Sequence, residues 1–248
     1  MKIALIGYGK MGKAIEQIAL KKGHEIVLKI SEENLSDLTT ANLSNADVAI
    51  EFTQPHAAYD NVLKCFAANV PVVCGTTGWY QQLEEAKNIC LEKNHSFFHA
   101  TNFSIGVNMF FALSEQMSKM AERFQIYNDV SIIETHHTQK KDAPSGTAVT
   151  LANDIIKNIS RLKKWEGKPD EKSSTAGTKK DNSVLPVISI RSGDAAGLHE
   201  ICYQSEDDSI TLIHNAKGRG GFAKGAVMAA EWLFGKKGVF GMKDLLEL

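Results

Sequence analysis

The chain of 248 residues carries 28 lysines and arginines against 29 aspartates and glutamates, a net charge of −1 that lacks the basic excess of a nucleic-acid footprint. Hydrophobic residues at 43% can fill one large core or two modest ones, and charged residues at 23% suit a water-facing surface. No apolar run approaches the ~18 residues of a membrane span, and the start lacks the apolar length and cleavage site of a secretory signal, so a cytoplasmic location is expected, with neither nucleic acid nor membrane as partner.

In chain order, Lys2–Ile6 reads as a short apolar strand running into a glycine turn. Met11, Ala14, Ile15, Ile18 and Ala19 recur at helical spacing, and Gly23 is placed to stop that helix. Glu25–Ile30 is a second strand, followed by a polar stretch, and Asp47–Phe52 a third, after which Pro55 can open a helix. Val70–Cys74 leads into the turn Gly75-Thr76-Thr77-Gly78, then a helix over Gln81–Lys93 and a strand over Ser96–His99. Strands alternating with helices in this way predict a parallel, doubly wound sheet. Beyond Phe103 the pattern changes. A long helix is expected over Ile105–Glu122, a strand over Val130–Thr135, and a loop at Asp142–Gly146 opening a helix that carries Ala148, Leu151, Ala152, Ile155 and Ile159. Residues 163–183 read as a polar loop; Leu185–Arg191, His199–Gln204 and Ser209–Asn215 read as an antiparallel or mixed sheet, and a helix near Phe222–Leu233 precedes an apolar tail. Cys65, Cys74, Cys90 and Cys202 form no CxxC pair and sit among apolar neighbours, as small buried hydrophobes do.

Two stretches carry chemistry. Gly7-Tyr8-Gly9-Lys10-Met11-Gly12 fits GxGxxG directly between a strand and a helix, where the backbone can approach a pyrophosphate and the helix start offers free N–H groups. The acidic residue usual at the end of the second strand is missing: the chain reads Lys29-Ile30-Ser31-Glu32, and Ser31 neither binds a ribose hydroxyl strongly nor repels a 2′-phosphate. NADH and NADPH are therefore both expected to serve. The second stretch, Glu134 to Ala148, gathers His136, His137, Lys140 and a helix start at Ser145, Gly146 and Thr147. Histidine and lysine move protons near neutral pH, and the helix start favours an anion. A histidine pair packed at a strand end, or a metal pair, would read the same way, although no HExxH or Cys/His ligand spacing points to metal.

The run E-x-H-H-x-x-K-x-D-A-P-S-G-T-A over Glu134–Ala148 resembles the signature of the 4-hydroxy-tetrahydrodipicolinate (dihydrodipicolinate) reductase family of lysine and diaminopimelate biosynthesis. The resemblance extends through GYGKMG, EFTQP at Glu51–Pro55, GTTGW at Gly75–Trp79, TNFSIGVN at Thr101–Asn108, RSGDAAGLHE at Arg191–Glu200 and GRGGFAKGA at Gly218–Ala226. It implies an α/β fold, a Rossmann-type dinucleotide-binding domain (1–104 plus 217–248) with an inserted α+β substrate and oligomerisation domain (105–216), assembled as a homotetramer. It also implies NAD(P)H-dependent reduction of a small heterocyclic dicarboxylate. His136 would donate and accept the proton and Lys140 would be a second donor, also holding substrate with His137, Ser145, Gly146 and Thr147. Gly75, Thr76, Thr77, Ala100, Thr101, Asn102 and Phe103 would line the nicotinamide end of the cofactor groove, with Arg219 an interdomain arginine close to cofactor and substrate. Glu51 stands where the family often has Asp, and Thr101 where it often has Pro. Another NAD(P)-dependent imine or amino-acid dehydrogenase, or a non-catalytic dinucleotide sensor, are the competing functions.

Overall fold

The computed structural model describes residues 1–169, 181–218 and 220–248. These form two compact units, Met1–Asn108 with Arg219–Leu248, and Met109–Gly218.

The first unit runs β1 (Lys2–Ile6), α1 (Lys10–Lys21), β2 (Glu25–Ile30), a 3₁₀ segment (Glu32–Asp37), α2 (Thr40–Leu43), β3 (Val48–Glu51), α3 (Pro55–Ala67), β4 (Val72–Cys74), α4 (Tyr80–Glu92) and β5 (Ser96–His99). After the second unit the chain returns with α7 (Gly220–Leu233), β11 (Gly238–Phe240) and α8 (Met242–Leu246). Among the described residues its sheet has the order β11-β5-β4-β3-β1-β2, every pair parallel. The central strands β1, β3 and β4 are mostly apolar because both their faces are covered. Ala4, Ile6, Ala49, Val72, Cys74 and Phe97 alternate onto one face against Ala58, Val62, Cys65 and Phe66 of α3 and Leu83 and Ala86 of α4. Ile3, Leu5, Val48, Ile50, Val73 and Phe98 face the other way, against Ile15 and Ala19 of α1 and Ala223, Ala226, Ala229 and Ala230 of α7. The chain steps outward from β1 to β2 and crosses back to β3, so the strand order reverses beside β1, where a ligand crevice opens in sheets of this kind. The polar stretch after β2 is not featureless: Ser31 caps the 3₁₀ segment and Thr39 caps α2 through their side-chain oxygens.

The second unit contains α5 (Ile105–Phe124, which begins in the first), β6 (Asp129–His136), α6 (Gly146–Asn158), β7 (Lys164–Pro169), β8 (Val184–Arg191), β9 (Leu198–Gln204) and β10 (Ser209–Asn215). Its sheet, in the order β10-β9-β6-β8-β7, is mixed: β10, β9 and β6 run antiparallel in turn, while β6, β8 and β7 are parallel. One face is closed by Phe110, Met117 and Ala121 of α5 and Ala148, Leu151, Ala152 and Ile155 of α6, packed on Val130, Ile132, Leu185, Val187, Ile201 and Tyr203. The reading of residues 163–183 as loop is corrected for 164–169, which pair with β8 as an edge strand. Its sequence, Lys-Trp-Glu-Gly-Lys-Pro, lacks the apolar alternation of a buried strand, and Trp165 packs against the core, its Nε1 donating to Asn153 Oδ1 at 3.0 Å. The remainder of that stretch, 170–180, lies outside the described residues. Register then decides where the chemistry falls. His214, His199, Glu134 and Ser189 stand side by side across four strands, on the face that carries the core.

Candidate active site

Glu134 occupies a core-facing position of β6 and is 0% exposed. A bare carboxylate there would be prohibitively costly, and its neighbours make it tenable. Oε1 accepts from Ser145 N (3.0 Å), Ser189 Oγ (2.8 Å) and Arg191 Nη2 (3.2 Å), and Oε2 accepts from Ser145 N at 3.1 Å. Burial by itself would raise the Glu134 carboxyl; hydrogen bonds from Ser145, Ser189 and Arg191 outweigh it and hold the group below the ordinary carboxylate range. Two imidazoles flank it. His136 Nδ1 is 3.5 Å and His199 Nε2 3.7 Å from Oε2, and the rings meet edge to face with centroids 5.1 Å apart.

His136, only 7% exposed, has its Nδ1 buried without a hydrogen-bond partner, and its Nε2 faces Gly197, where an added Cβ would come within 3.1 Å. Burial pushes the His136 imidazole below its ordinary value; Glu134 pulls it back up, while Lys140 and Arg191 push it down again. His199 is driven down to about 4, by burial first and His136 second. At neutral pH both rings are therefore uncharged. Their donor atoms and a Glu134 oxygen lie within 4.8 Å of one another, a spacing that a divalent metal can use. The Arg191 guanidinium on the same carboxylate opposes a second cation, and the oxygens already accept N–H and O–H donors. The arrangement suits proton transfer better than metal binding.

Past β6 the backbone is tied to the β8–β9 loop, with His137 N donating to Ala195 O (2.8 Å) and Thr138 N to Gly193 O (3.3 Å). Lys140 N donates to His137 O, and its ammonium donates to both Asp142 oxygens at 2.8 Å. Lys140 is thus a partly covered cation held by an exposed carboxylate that a stronger anion can displace. Arg191 Nη2 donates to Asp142 O at 2.6 Å and so braces the same loop. α6 begins beside this cluster. Ser145 is its cap, with Oγ accepting from Ala148 N (3.2 Å) and lying 3.2 Å from His199 Nε2. The Ser145 hydroxyl is committed inward, so its part is to hold the helix and His199. Gly146 and Thr147 form the first turn, and a Cβ built on Gly146 would meet nothing within 4 Å, leaving the helix start open to an anion.

In the first unit a cavity of about 540 Å³ lies at the ends of β1, β2 and β3, lined by Gly7, Tyr8, Gly9, Lys13, Ser31–Glu33, Leu35 and Phe52–Gln54, among others. The fit to a dinucleotide rests on the glycines. Gly7 has φ +97°, and a Cβ there would lie 2.0 Å from Phe52 O; one on Gly12 would lie 2.3 Å from Gly7 O. Gly9, by contrast, has no atom within 4 Å of its missing Cβ and leaves backbone bare at the cavity wall. Tight turn, close helix packing and open approach are the three uses of glycine in a pyrophosphate cradle.

The other predicted cofactor residues play varied parts. Lys10 is exposed, whereas the Met11, Ala100 and Phe103 side chains pack into the core and can reach a ligand through backbone alone. Gly75 abuts the Phe52 ring, and Thr76 Oγ1 accepts from Thr53 N at 2.8 Å, which joins the β3 and β4 ends. Asn102 Oδ1 accepts from Ser104 N at 2.9 Å, while Thr77 and Thr101 are exposed. Arg219 lies outside the described residues. Sequence reasoning missed Glu134 as anchor, with Ser189, Arg191 and His199. A signal was present: each of Glu134, Ser189 and His199 takes a core position in a strand whose alternation is otherwise apolar.

Models of two families match the chain, "Dihydrodipicolinate reductase, N-terminus" over residues 1–103 and "Dihydrodipicolinate reductase, C-terminus" over residues 106–246. A 4-hydroxy-tetrahydrodipicolinate reductase of Christiangramia forsetii is 43% identical over 248 residues, covering 99% of this chain and 98% of that one. Among solved structures, a dihydrodipicolinate reductase from Paenisporosarcina sp. TG-14 with dipicolinate bound superposes with a TM-score of 0.77 at 26% identity, covering 98% of both chains. An amine dehydrogenase from Mycobacterium smegmatis shares the fold, with a TM-score of 0.61 at 12% identity over 96% of this chain and 94% of that one. A glycine cradle at a strand reversal in one unit, a buried carboxylate–imidazole cluster at a helix start in the other, and matches along nearly the whole length place the chain in the dihydrodipicolinate reductase family, NAD(P)H-dependent oxidoreductases of lysine and diaminopimelate biosynthesis.

Proposed function

We propose that the chain reduces 4-hydroxy-tetrahydrodipicolinate to tetrahydrodipicolinate with loss of water, in the cytoplasm, residues 109–218 holding the substrate and the first unit the cofactor. The observation that carries this reading is the cluster around Glu134, where an uncharged imidazole, a lysine and an open helix start lie within one unit. NADH or NADPH would be held by Gly7–Gly12 and the Ser31 and Thr53 segments, and when bound supplies a hydride to ring C4. Gly146, Thr147 and His137 receive one carboxylate of the ring through N–H donors, and Lys140 leaves Asp142 for the substrate anion, which brings its proton to the ring. His136 lies below its ordinary proton affinity in the free protein and a dianionic substrate raises it; the 4-hydroxyl leaves as water with a proton from the adjacent C3, and His136 passes its own proton to the resulting conjugated nitrogen system as the hydride is added, so that one hydride and one proton enter for the one water lost. Glu134 acts through His136, holding its ring and favouring the charged form.

A homotetramer is supported by the uncovered face of the second sheet, where Ile213, Glu200, Ile133 and Ile188 form one row and Ile213 is 59% exposed. The test of the reaction is a coupled assay with freshly generated substrate, following loss of NAD(P)H absorbance against a panel of keto and imino acids. Turnover of the heterocycle at least about a hundredfold above the panel in kcat/KM is the expected result. Comparable turnover of an open-chain imine would assign the chain to the amino-acid or imine dehydrogenases instead, and dinucleotide binding without turnover would make it a sensor.

A further inference from the structure

Another buried carboxylate lies in the first unit, next to the cavity but not among its lining residues. Glu51 ends β3 and is 0% exposed, on a strand whose other residues, Val48, Ala49 and Ile50, are apolar. An apolar side chain of the same length would fill that space without the cost of taking a carboxylate out of water. Three donors converge on Glu51 instead. Oε1 accepts from the Thr53 hydroxyl and from Asn61 Nδ2 at 3.3 Å, and Oε2 accepts from Cys74 Sγ at 3.0 Å. Asn61 Nδ2 also donates to Thr53 Oγ1 at 3.2 Å. Burial, and then Glu51 itself, pushes the Cys74 thiol well above its ordinary range, so it stays a donor.

This network holds the segment that walls the cavity, to which Phe52, Thr53, Gln54 and Asn61 all contribute. Thr53 turns its hydroxyl inward to Glu51, while its N–H donates to Thr76 Oγ1 at 2.8 Å. Gly75 N donates to Glu51 O at 2.9 Å, and Trp79 Nε1 donates to Thr76 O at 2.8 Å, so the turn after β4 is held from both sides. The Thr53 segment is also pressed on the glycine turn after β1. A Cβ on Gly7 would lie 2.0 Å from Phe52 O and 2.9 Å from Thr53 Cγ2. A shift of this segment would therefore be felt at once in the cradle.

We propose that Glu51 is a positioning residue for the dinucleotide: it touches no ligand, and by accepting from Thr53 it fixes the Phe52–Gln54 segment, and through Thr76 the Gly75–Thr77 turn, in the arrangement that receives the cofactor. This rests on the reading of the first unit as the cofactor-binding one.

The test is calorimetric titration of NADH and of NADPH into the full chain without substrate, with pyridine-2,6-dicarboxylate titrated into the same samples and thermal melts beside both. Glu51→Met fills the site but removes both acceptor oxygens. It should weaken the tighter-binding dinucleotide by about tenfold or more and leave dicarboxylate affinity unchanged. Glu51→Gln keeps one oxygen to accept from Thr53 and should restore most of the affinity. Thr53→Val, at a partly exposed position, should weaken the dinucleotide to a similar degree. The two changes together should cost no more than about twofold beyond either alone, because they break one linkage. A Glu51→Met protein that melts earlier yet binds the dinucleotide within about threefold of the parent would reduce Glu51 to packing and overturn the inference. An equal loss of dicarboxylate affinity, additive losses in the double variant, or normal affinity in Thr53→Val would overturn it too, the last without needing any Glu51 variant to fold. A parent chain that binds neither NADH nor NADPH would instead overturn the cofactor-site reading on which the inference rests.

Discussion

In the proposed reaction the surroundings of His136 and Lys140 divide the proton work between them. His136 is nearly enclosed and held below its ordinary proton affinity by burial, and in the proposed reaction a negative substrate restores that affinity. Lys140 sits at the rim on an exposed carboxylate and brings its proton with it. His136→Gln should therefore lower kcat by roughly 10²–10⁴-fold with little change in KM, as removal of a general acid does. Lys140→Ala should lower kcat and raise KM together, because the ammonium also attracts the dicarboxylate. Steady-state kinetics on both variants decide; near-full kcat in both would show these side chains to be structural. The sequence singles them out as candidates because two histidines and a lysine on a short run are chemically conspicuous. Glu134, Ser189, Arg191 and His199 do not stand out, since what joins them is strand register between segments up to 65 residues apart, which no local pattern encodes. The turn after β2 was hidden for a similar reason. The 3₁₀ turn capped by Ser31 puts Glu32 and Glu33 on the cavity wall, and a strand-end rule does not anticipate a turn formed in what reads as a polar stretch.

At the scale of the element, the start of α6 does two jobs that separate by residue. Ser145 ties the helix end to the buried cluster, its N–H on Glu134 and its Oγ on Ala148 N and beside His199, whereas Gly146 and Thr147 face outward on the open turn. Ser145→Ala should cost on the order of 1–2 kcal/mol of stability, the usual loss for a helix cap, and lower kcat through the displaced imidazoles. Thr147→Val should leave the melting temperature unchanged but weaken pyridine-2,6-dicarboxylate by about 1–3 kcal/mol, if its hydroxyl meets a carboxylate. Calorimetry and thermal melts on the pair make the distinction. A Thr147→Val protein that melts earlier yet binds the dicarboxylate normally would mark the turn as a cap alone. Elements themselves were legible where periodicity is strong, as in β1 through β5 and α5. They were lost where an edge position needs no apolar alternation, as in β7, or where a short element such as α8 is fixed by packing, with Met242 buried among α7 residues.

For the whole molecule, each unit encloses a histidine that folding keeps uncharged. His199 lies in the second unit against Glu134, and His99 ends β5 in the first, beside Trp79 with its Nε2 unpartnered. Both are brought from an ordinary 6.5 to about 4, chiefly by burial, with His136 adding to the effect at His199 and Lys87 at His99. Between those values the unfolded chain binds protons that the folded one refuses, so stability rises with pH across the interval. The contribution is fully present above 6.5, declines as pH falls, and is gone below about 4; a gap of this size corresponds to an upper bound on the order of 3 kcal/mol per histidine. Glu134 acts in the same direction lower down, since a carboxyl depressed by its hydrogen bonds stabilises above its unfolded value and loses that stabilisation as pH falls through its folded one. Acid should therefore loosen both units over pH 6.5 to 4, well before most surface carboxylates titrate. Urea midpoints taken at half-unit steps through this range should show a steep loss in the parent protein. His199→Gln and His99→Gln should each flatten part of that slope, even where the substitution lowers stability at pH 7, because the slope reports proton uptake and not packing. Parallel slopes in the parent and both variants would mean that neither imidazole is held uncharged by the fold, and that acid sensitivity must come from the carboxylates alone.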